Sequence, residues 1–364
     1  MKIKTSLKRD FEKYLSGSIF LTLLLLIIIS CKKVDVPVND DEPLIRKEDS
    51  LKTYSPIVKF EVTGRLLEGK RIDCIEPNYK GNTWIASGQE LFHYKNGTLE
   101  NSYPLDFSIL DISIAGDESL WIASGGGGLG HLTKNGITWF TVANSGIPRD
   151  YIANVEVGLD GRVWFSSSAS DYGGLVVYDG KKFDLFTPDN SMLNQQVIWD
   201  IGIDHNGAIY VMTLSKVNKT NIYRISGDSW ECLGNENGTF YWVFVFTVSP
   251  ASKIYLIEDF MLSSSTADTN KLYVYKNNEW KRLKPDFMNS RLSFFTALKA
   301  DRRDYCWAAD IEGNSYLLHV FNGSTWELAP TGLFNGDKIS TIETDFDNNI
   351  WIGTAQNGVF ILKQ

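Results

Sequence analysis

One ten-residue phrase ending in an aromatic residue recurs seven times along this chain. Trp84, Trp121, Trp164, Tyr210, Tyr255, Trp307 and Trp351 align on one column without gaps in the nine positions before each. Position −9 reads Ile75, Ile112, Val155, Ile201, Phe246, Leu298, Ile342, and position −1 is Thr83, Leu120, Val163, Ile209, Ile254, Cys306, Ile350. Between them stand turn-forming stretches such as Gly158-Leu-Asp-Gly161, Asp204-His-Asn-Gly207 and Asp345-Phe-Asp-Asn348. The aromatics are spaced by 37, 43, 46, 45, 52 and 44 residues. Apolar run, polar turn and apolar run, repeated at about 40–45 residues, predict a β-propeller blade.

Each unit reads as four strands. The innermost covers positions −12 to −7, and the second carries the anchor aromatic. The third and fourth are joined by hairpin signals such as Lys95-Asn-Gly97, Lys134-Asn-Gly136 and Tyr178-Asp-Gly180. Asn-Gly and Asp-Gly supply the positive φ angles that such turns require. The last unit ends after Gly358-Val-Phe-Ile-Leu362, a third strand. Val58-Lys-Phe-Glu-Val62 precedes the first repeat without a unit of its own. The expectation is an all-β, seven-bladed propeller over residues 56–364. Its N-terminal strand (residues 58–62) would complete the last blade and remove the open sheet edge. Thr63 to Lys70 would be a loop, and six or eight blades are the alternatives.

The first thirty residues read as a targeting segment. Lys2, Lys4, Lys8, Arg9 and Lys13 precede an apolar run from Ile19 to Ile29, of signal-peptide length and short for a bilayer span. The run ends Ile28-Ile29-Ser30-Cys31, which resembles a bacterial lipobox. That resemblance implies cleavage before Cys31 and lipidation of its thiol, enough for stable anchoring. Residues 31–55 are charged and hold prolines, as a flexible tether does. Lys32 and Lys33 follow the cysteine, which by resemblance to sorting rules points to the outer membrane, in either leaflet. The formal charge is −8, and residues 1–30 contribute +5 − 2 = +3, so the mature chain carries −8 − 3 = −11. Such a chain is not built to grip nucleic acid by its phosphates. The other cysteines, Cys74, Cys232 and Cys306, fall in different blades and read as buried free thiols.

The repeat "I-x-x-I-x-x-D-x-x-G-x-I/L-W-I-G-T-x-x-x-G-L/V" resembles the two-component regulator propeller family. Ile339 to Thr354, with Asn357-Gly-Val359, is its closest copy, and Ser145-Gly-Ile-Pro-Arg-Asp-Tyr-Ile152 fits the inter-blade stretch. The resemblance implies a sensor-type propeller of the periplasm, tied in Bacteroidetes to polysaccharide use. No kinase or output module follows the repeats here, so what it implies is fold and glycan-related binding.

Ligands meet propellers at loops, and loops of blades three to five are the richest. The candidates there are Asp171, Tyr172, Asn194, Gln196, Tyr241, Trp242, Asp259 and Arg291. Aromatic rings to stack on and amides to read hydroxyls are what a sugar site needs. Positions −10 and −8 of the inner strands are more polar than their neighbours and are expected to face a central channel. Asp111, Asn154 and Asp200 are the channel-lining candidates, and the two aspartates are a conceivable acid/base pair.

No metal site, cofactor or catalytic residue is expected. His93, His131, His205 and His319 share no ligand spacing, and a His-based site like that of streptogramin lyases cannot be assembled. Asp345-Phe-Asp347 is too short for a calcium loop, and the glycine run Gly125–Gly128 is followed by neither lysine nor helix. The expected function is a monomeric, lipid-anchored envelope propeller that binds a glycan or an envelope protein and touches the membrane through its anchor alone. The alternatives are a propeller lyase or hydrolase acting on polysaccharide, and a protein scaffold without a small-molecule site.

Overall fold

The computed structural model describes residues 55–169, 172–215, 219–234, 240–241, 243–259, 270–283, 293–312 and 315–364. Cys31 and residues 1–54 lie outside this set, as do Asp171, Trp242 and Arg291. Seven antiparallel four-stranded sheets form the ring of a seven-bladed β-propeller. The inner strands are Cys74–Pro77, Ile109–Ile114, Val155–Val157, Ile198–Ile203, Val243–Val248, Ser293–Ala300 and Ile339–Thr344. A two-residue strand, Phe240–Tyr241, adds to the third strand of blade four.

The apolar positions bury between blades rather than within one. Seven separate clusters form, one at each blade interface. Trp164 of blade three, for instance, packs with Ile198, Ile201, Ile209 and Val211 of blade four. A ring assembled this way grows by addition, with no single core to outgrow.

The polar stretch before each anchor is one recurrent turn. In all seven blades the N–H at position −6 donates to the carbonyl at −2, at 2.7–3.1 Å. Where position −6 is aspartate, its carboxylate organises the turn. Asp301 Oδ1 accepts from the N–H groups of Arg303 and Tyr305 at 2.8 and 3.0 Å, and Oδ2 accepts from Trp307 Nε1 at 3.0 Å. Asp345 does the same for Trp351, and Asp204 for the Tyr210 hydroxyl. Blade three has Gly158 here, and the buried Trp164 Nε1 has no partner.

The ring closes through the N-terminal strand, which spans Val62–Leu66 rather than residues 58–62 and pairs with Val359–Leu362. Inward and outward residues alternate without a break from Val58 to Leu66. Val58, Phe60 and Val62 pack on the interface of blades six and seven. Gly64 suggested a loop, but it sits at a bulge where an added Cβ would lie 3.2 Å from Ile361. The repeat's third-strand glycine shows that the splice is equivalent to an ordinary blade. An added Cβ would meet Phe140 O at 2.1 Å from Gly128, and Leu66 O at 2.3 Å from Gly358. Leu66 thus holds in blade seven the place that Phe140 holds in blade two. Arg303 fastens the entering chain: its Nη1 donates to Ser55 O and Ile57 O, both at 3.2 Å, and it pairs with the buried Asp301.

Candidate functional site

The inner strands surround a central channel, a cavity of about 630 Å³. Its lower end opens among the turns between inner and second strands, where Tyr79, His205, Arg302 and Phe346 stand. At the other end of the inner strands the lining stops at Thr296 and Ser340, short of the inter-blade connections. Every residue at positions −10 and −8 except Cys74 and Asn154 lines the cavity, because alternate residues of an edge-facing inner strand point one way.

Five carboxyls and one ammonium face this shaft. They come from blade one (Glu76), two (Asp111), three (Glu156), four (Asp200), six (Lys299) and seven (Glu343); blade five offers Val245 and Thr247. Lys299 Nζ lies 2.5 Å from Glu343 Oε2. Asp111 Oδ1 accepts from Ile112 N–H and Oδ2 from Val155 N–H, each at 2.9 Å, so this carboxyl ties blade two to blade three. Ser113 Oγ, 3.5 Å from Glu156 Oε2, takes the Val157 N–H across the same interface. Asn154 accepts from Ser166 Oγ at 3.0 Å, and its Nδ2 lies 3.5 Å from Asp200 Oδ1.

Burial raises four of these acids. Burial, then the like charge of Glu343, pushes Glu76 up to about 8. Burial pushes Asp111 up to about 7 against its two backbone bonds, and burial with the Asp111 charge brings Asp200 to about 7. Glu156 is raised well above the ordinary carboxylate range by burial and by Glu76. Burial works against the Lys299 charge, but Glu343, with Glu76 and Glu156, outweighs it and holds the ammonium above its usual value.

The upper mouth is shaped by a recurrent bulge. In blades two, four, five, six and seven the register shifts just before position −10, leaving one extra residue at the top of the inner strand. Blades six and seven spend it on a bond to the next blade: Thr296 Oγ1 donates to Ile339 O and Ser340 Oγ to Ile72 O. In blade four the bulged residue is Trp199, and its side chain is 40% exposed. Bulges re-aim side chains in this manner beside functional sites. Asp200 follows it directly.

Tyr151, 45% exposed, stands on the connection from blade two to blade three. It bridges Gly125, while Asp150 O accepts from Gly128 N–H at 2.8 Å. The glycine run is therefore a packing device: an added Cβ at Gly127 would lie 2.2 Å from the Phe107 ring. Asn194 is exposed on the connection into blade four. Its N–H donates to the Tyr223 hydroxyl at 3.0 Å, and its Oδ1 accepts from Thr213 Oγ1 at 3.3 Å. Gln196 is half-buried on the same connection.

Tyr172, Tyr241 and Asp259 belong to strands Tyr172–Tyr178, Phe240–Tyr241 and Ile254–Asp259, and their side chains lie outside the described set. Tyr172, expected on a loop, begins a strand of a hairpin in which Ser166 pairs with Leu175 and Ala169 with Tyr172. An added Cβ at Gly174 would lie 2.2 Å from Phe186 O, so close strand approach is what requires glycine there. Sequence reasoning missed Trp199 and Tyr151. The signal for Trp199 was a large aromatic one residue before a channel position, a place where blade five also has an aromatic, Phe244, and the other blades have Asp73, Leu110, Ala153, Thr296 and Ser340.

Three histidines serve the blades. His93 stacks on Trp84 at 4.2 Å and His131 on Trp121 at 4.0 Å, while the buried His319 lies 3.2 Å from Asp310. Cys74 and Cys306 are buried thiols; Cys232 is exposed on the outermost strand of blade four rather than buried, since that strand has a solvent-facing edge. Among the described residues no group of His, Cys, Asp or Glu is arranged to hold a metal ion, and no helix is long and apolar enough to cross a membrane.

No family model matches the sequence, and no curated protein is similar to it in sequence. Solved structures are similar. The extracellular domain of BT4673 from B. thetaiotaomicron, described as belonging to a one-component or hybrid two-component system, has TM-score 0.60 at 17% identity over 83% of this chain. The match spans only 40% of that protein's chain. Virginiamycin B lyase from Staphylococcus aureus matches with TM-score 0.61 at 17% identity, over 84% of this chain and 98% of the lyase. YCF48 bound to D1 peptide matches with TM-score 0.59 at 14% identity, over 86% and 97%. At such identities the likeness is one of fold: this chain has a propeller like those of the extracellular domains of bacterial one- and two-component systems, of a lyase and of YCF48 with its bound peptide.

Proposed function

We propose that this chain is a lipid-anchored, sensor-type propeller of the bacterial envelope, held by Cys31 in the outer membrane, that binds a glycan at the upper mouth of its channel. The observation that carries the reading is the bulged Trp199, exposed on the inner strand of blade four and next in the chain to the channel-lining Asp200, with the exposed Tyr151 and the amides of Asn194 and Gln196 on the connections into blades three and four. Exposed rings give sugar faces something to stack on, and amides and carboxyls read hydroxyls. Asp200 and Asp111 line the shaft, and Asn154, which does not, stands behind Asp200 at 3.5 Å. Asp171, Tyr172, Tyr241, Trp242, Asp259 and Arg291 would extend the site over blades three to five. The resemblance of the repeats to the two-component regulator propeller family, and the fold shared with extracellular sensor domains, support this assignment.

The test is a glycan array on residues 32–364, followed by calorimetry on any hit, with Trp199→Ala beside wild type and Leu99→Ala, an exposed outer-strand residue, as control. Loss of one stacking platform weakens binding at least tenfold by analogy with aromatic anchors, which carry about 2 kcal/mol or more. Binding unchanged in Trp199→Ala would sink the site. The near-neutral Asp111 and Asp200 favour a second reading, acid/base cleavage of the bound glycan. Chromatography of the glycan after incubation separates the two, since a binding module returns it intact.

A further inference from the structure

Ser55, the first described residue, is held beside the lower end of the channel. Arg303 Nη1 donates to Ser55 O and Ile57 O, each at 3.2 Å, and the Tyr305 hydroxyl donates to Pro56 O at 3.2 Å. Arg302, one residue back, lines the cavity where it opens, with Tyr79, His205 and Phe346. The chain before Ser55 therefore starts from a point fixed next to that opening. We propose that residues 44–49, Leu44-Ile-Arg-Lys-Glu-Asp49, dock into the lower end of the channel, with Arg46 and Lys47 among its carboxyls, so that the propeller covers this opening with its own N-terminal segment. The proposal is independent of the glycan site.

Three observations select this occupant. The first is reach. Arg46 stands 55 − 46 = 9 residues before Ser55, and nine extended residues span up to about 30 Å. An inner strand of six residues, such as Ile339–Thr344, rises about 20 Å. The second is the order of charges. Going back from Ser55 the chain presents two acids (Asp49, Glu48), two cations (Lys47, Arg46) and two apolar residues (Ile45, Leu44). Going in from the opening, the channel presents a guanidinium and an imidazole (Arg302, His205), then the carboxyls of Glu76, Glu156 and Glu343, then Val245 and Ala297 beside Asp111 and Asp200. Lys299, the one ammonium at the level of the glutamates, lies 2.5 Å from Glu343. Walls of low dielectric focus such a field along the channel and favour cations within it. The third is the rim on the side from which the chain comes. Tyr79 and Phe346 meet edge to face at 6.4 Å, and Arg302 Cζ lies 4.7 Å over the Phe346 ring. This joins blades one, six and seven into a firm border for the segment to cross. A cavity of about 630 Å³ has room for a few side chains rather than for a folded element. A tether this short supplies an effective concentration of about 1 mM, so a contact with a Kd of about 0.1 mM keeps the segment docked about ten times out of eleven.

The test uses residues 32–364 carrying Cys232→Ser, which removes the exposed thiol, and Thr344→Cys, which puts a reporter on the lining at the lower end of the blade-seven inner strand. Alkylation by iodoacetamide then measures access to the channel. The reporter is expected to react about tenfold faster when Arg46→Glu and Lys47→Glu reverse the charge of the segment. Salt at about 1 M, where the screening length is about 3 Å, should bring the chain with its native segment to the same rate. Equal rates with and without the reversal at low salt would overturn the proposal. Trypsin gives an independent reading on the native sequence. Cleavage after Arg46 and Lys47 is expected about tenfold slower than in a synthetic peptide of residues 40–54 at low salt, and as fast as in the peptide at about 1 M. Cleavage at the peptide's rate at low salt refutes docking, whether or not the reporter thiol reacts.

Discussion

Blade three lacks the carboxylate that fastens the anchor aromatic in blades four, six and seven, and Gly158→Asp should restore it. Trp164 is 2% exposed and its Nε1 has no acceptor. In blade six the same atom of Trp307 meets Asp301 Oδ2 at 3.0 Å. An unsatisfied buried donor costs about 1–3 kcal/mol, and replacing a glycine whose backbone tolerates a side chain adds about 0.4–1 kcal/mol. Gly158 has no positive φ, and its added Cβ would lie 3.5 Å from Trp164 Nε1, aimed correctly. The opposing cost is Asp160, whose Oδ1 lies 2.7 Å from that Cβ and accepts from Arg162 N–H at 3.1 Å. Its exposed carboxylate must swing away, losing a bond of about 0.5–1.5 kcal/mol. The new aspartate can take over Arg162 N–H, as Asp204 takes Ala208 N–H. The balance is a stabilisation of about 1–2 kcal/mol, or about 2–4 °C in Tm for a domain this large. Scanning calorimetry and urea unfolding of wild type, Gly158→Ala and Gly158→Asp measure it. Gly158→Ala carries the backbone contribution alone. The reasoning fails if Gly158→Asp is no more stable than Gly158→Ala, or if its advantage survives in a Trp164→Phe background, where no indole donor remains.

Asp301→Ala should lose about 3–5 kcal/mol, because it strips an acceptor from the Trp307 indole and leaves the Arg303 guanidinium without its buried partner; urea unfolding gives the value, and a loss below about 1 kcal/mol would mean the pair behaves as a surface one. Stability should rise as pH falls from about 9 to about 6, because folding raises Glu76, Asp111 and Asp200 above their unfolded values. The native state then binds protons more tightly, and this contribution, full below the unfolded pKa values, is lost as pH passes through about 7 to 8. A Tm flat or rising with pH over that window contradicts it. Lys299→Met leaves Glu343 without its cation among four other carboxyls, so it should steepen the same pH dependence, as Tm measured across the window will report.

Much of this architecture was legible in the chain because a blade is a local object. Periodicity placed the anchors, the turns and the inner strands, and polarity at positions −10 and −8 marked the residues that line the channel. The closing strand was readable only in part. Val58 to Val62 alternates plainly, but Gly64 looks like a break until Ile361 stands opposite it across blade seven. Tyr172, beside Gly173 and Gly174, read as a loop residue yet starts a strand, since a glycine that permits close approach and one that permits a turn look alike in sequence. Asn190 shows the converse. It sits among loop amides that read as ligand contacts, yet its Oδ1 accepts from Thr187 N–H and its Nδ2 donates to Leu185 O, so it caps a connection.

The repeat by itself determined that this chain makes blades, how many, and which face of each inner strand looks into the ring, because strand alternation and turn chemistry are short-range. The tertiary structure alone decided what those faces do together. Glu76, Asp111, Glu156, Asp200 and Glu343 come from five different repeats, and no one of them is unusual until ring closure gathers them with one lysine and buries them, which raises the first four. Trp199 likewise became an exposed residue at a one-residue bulge, a register event set by the pairing of its neighbours with Thr213 and Met212 and invisible in the spacing of the repeat.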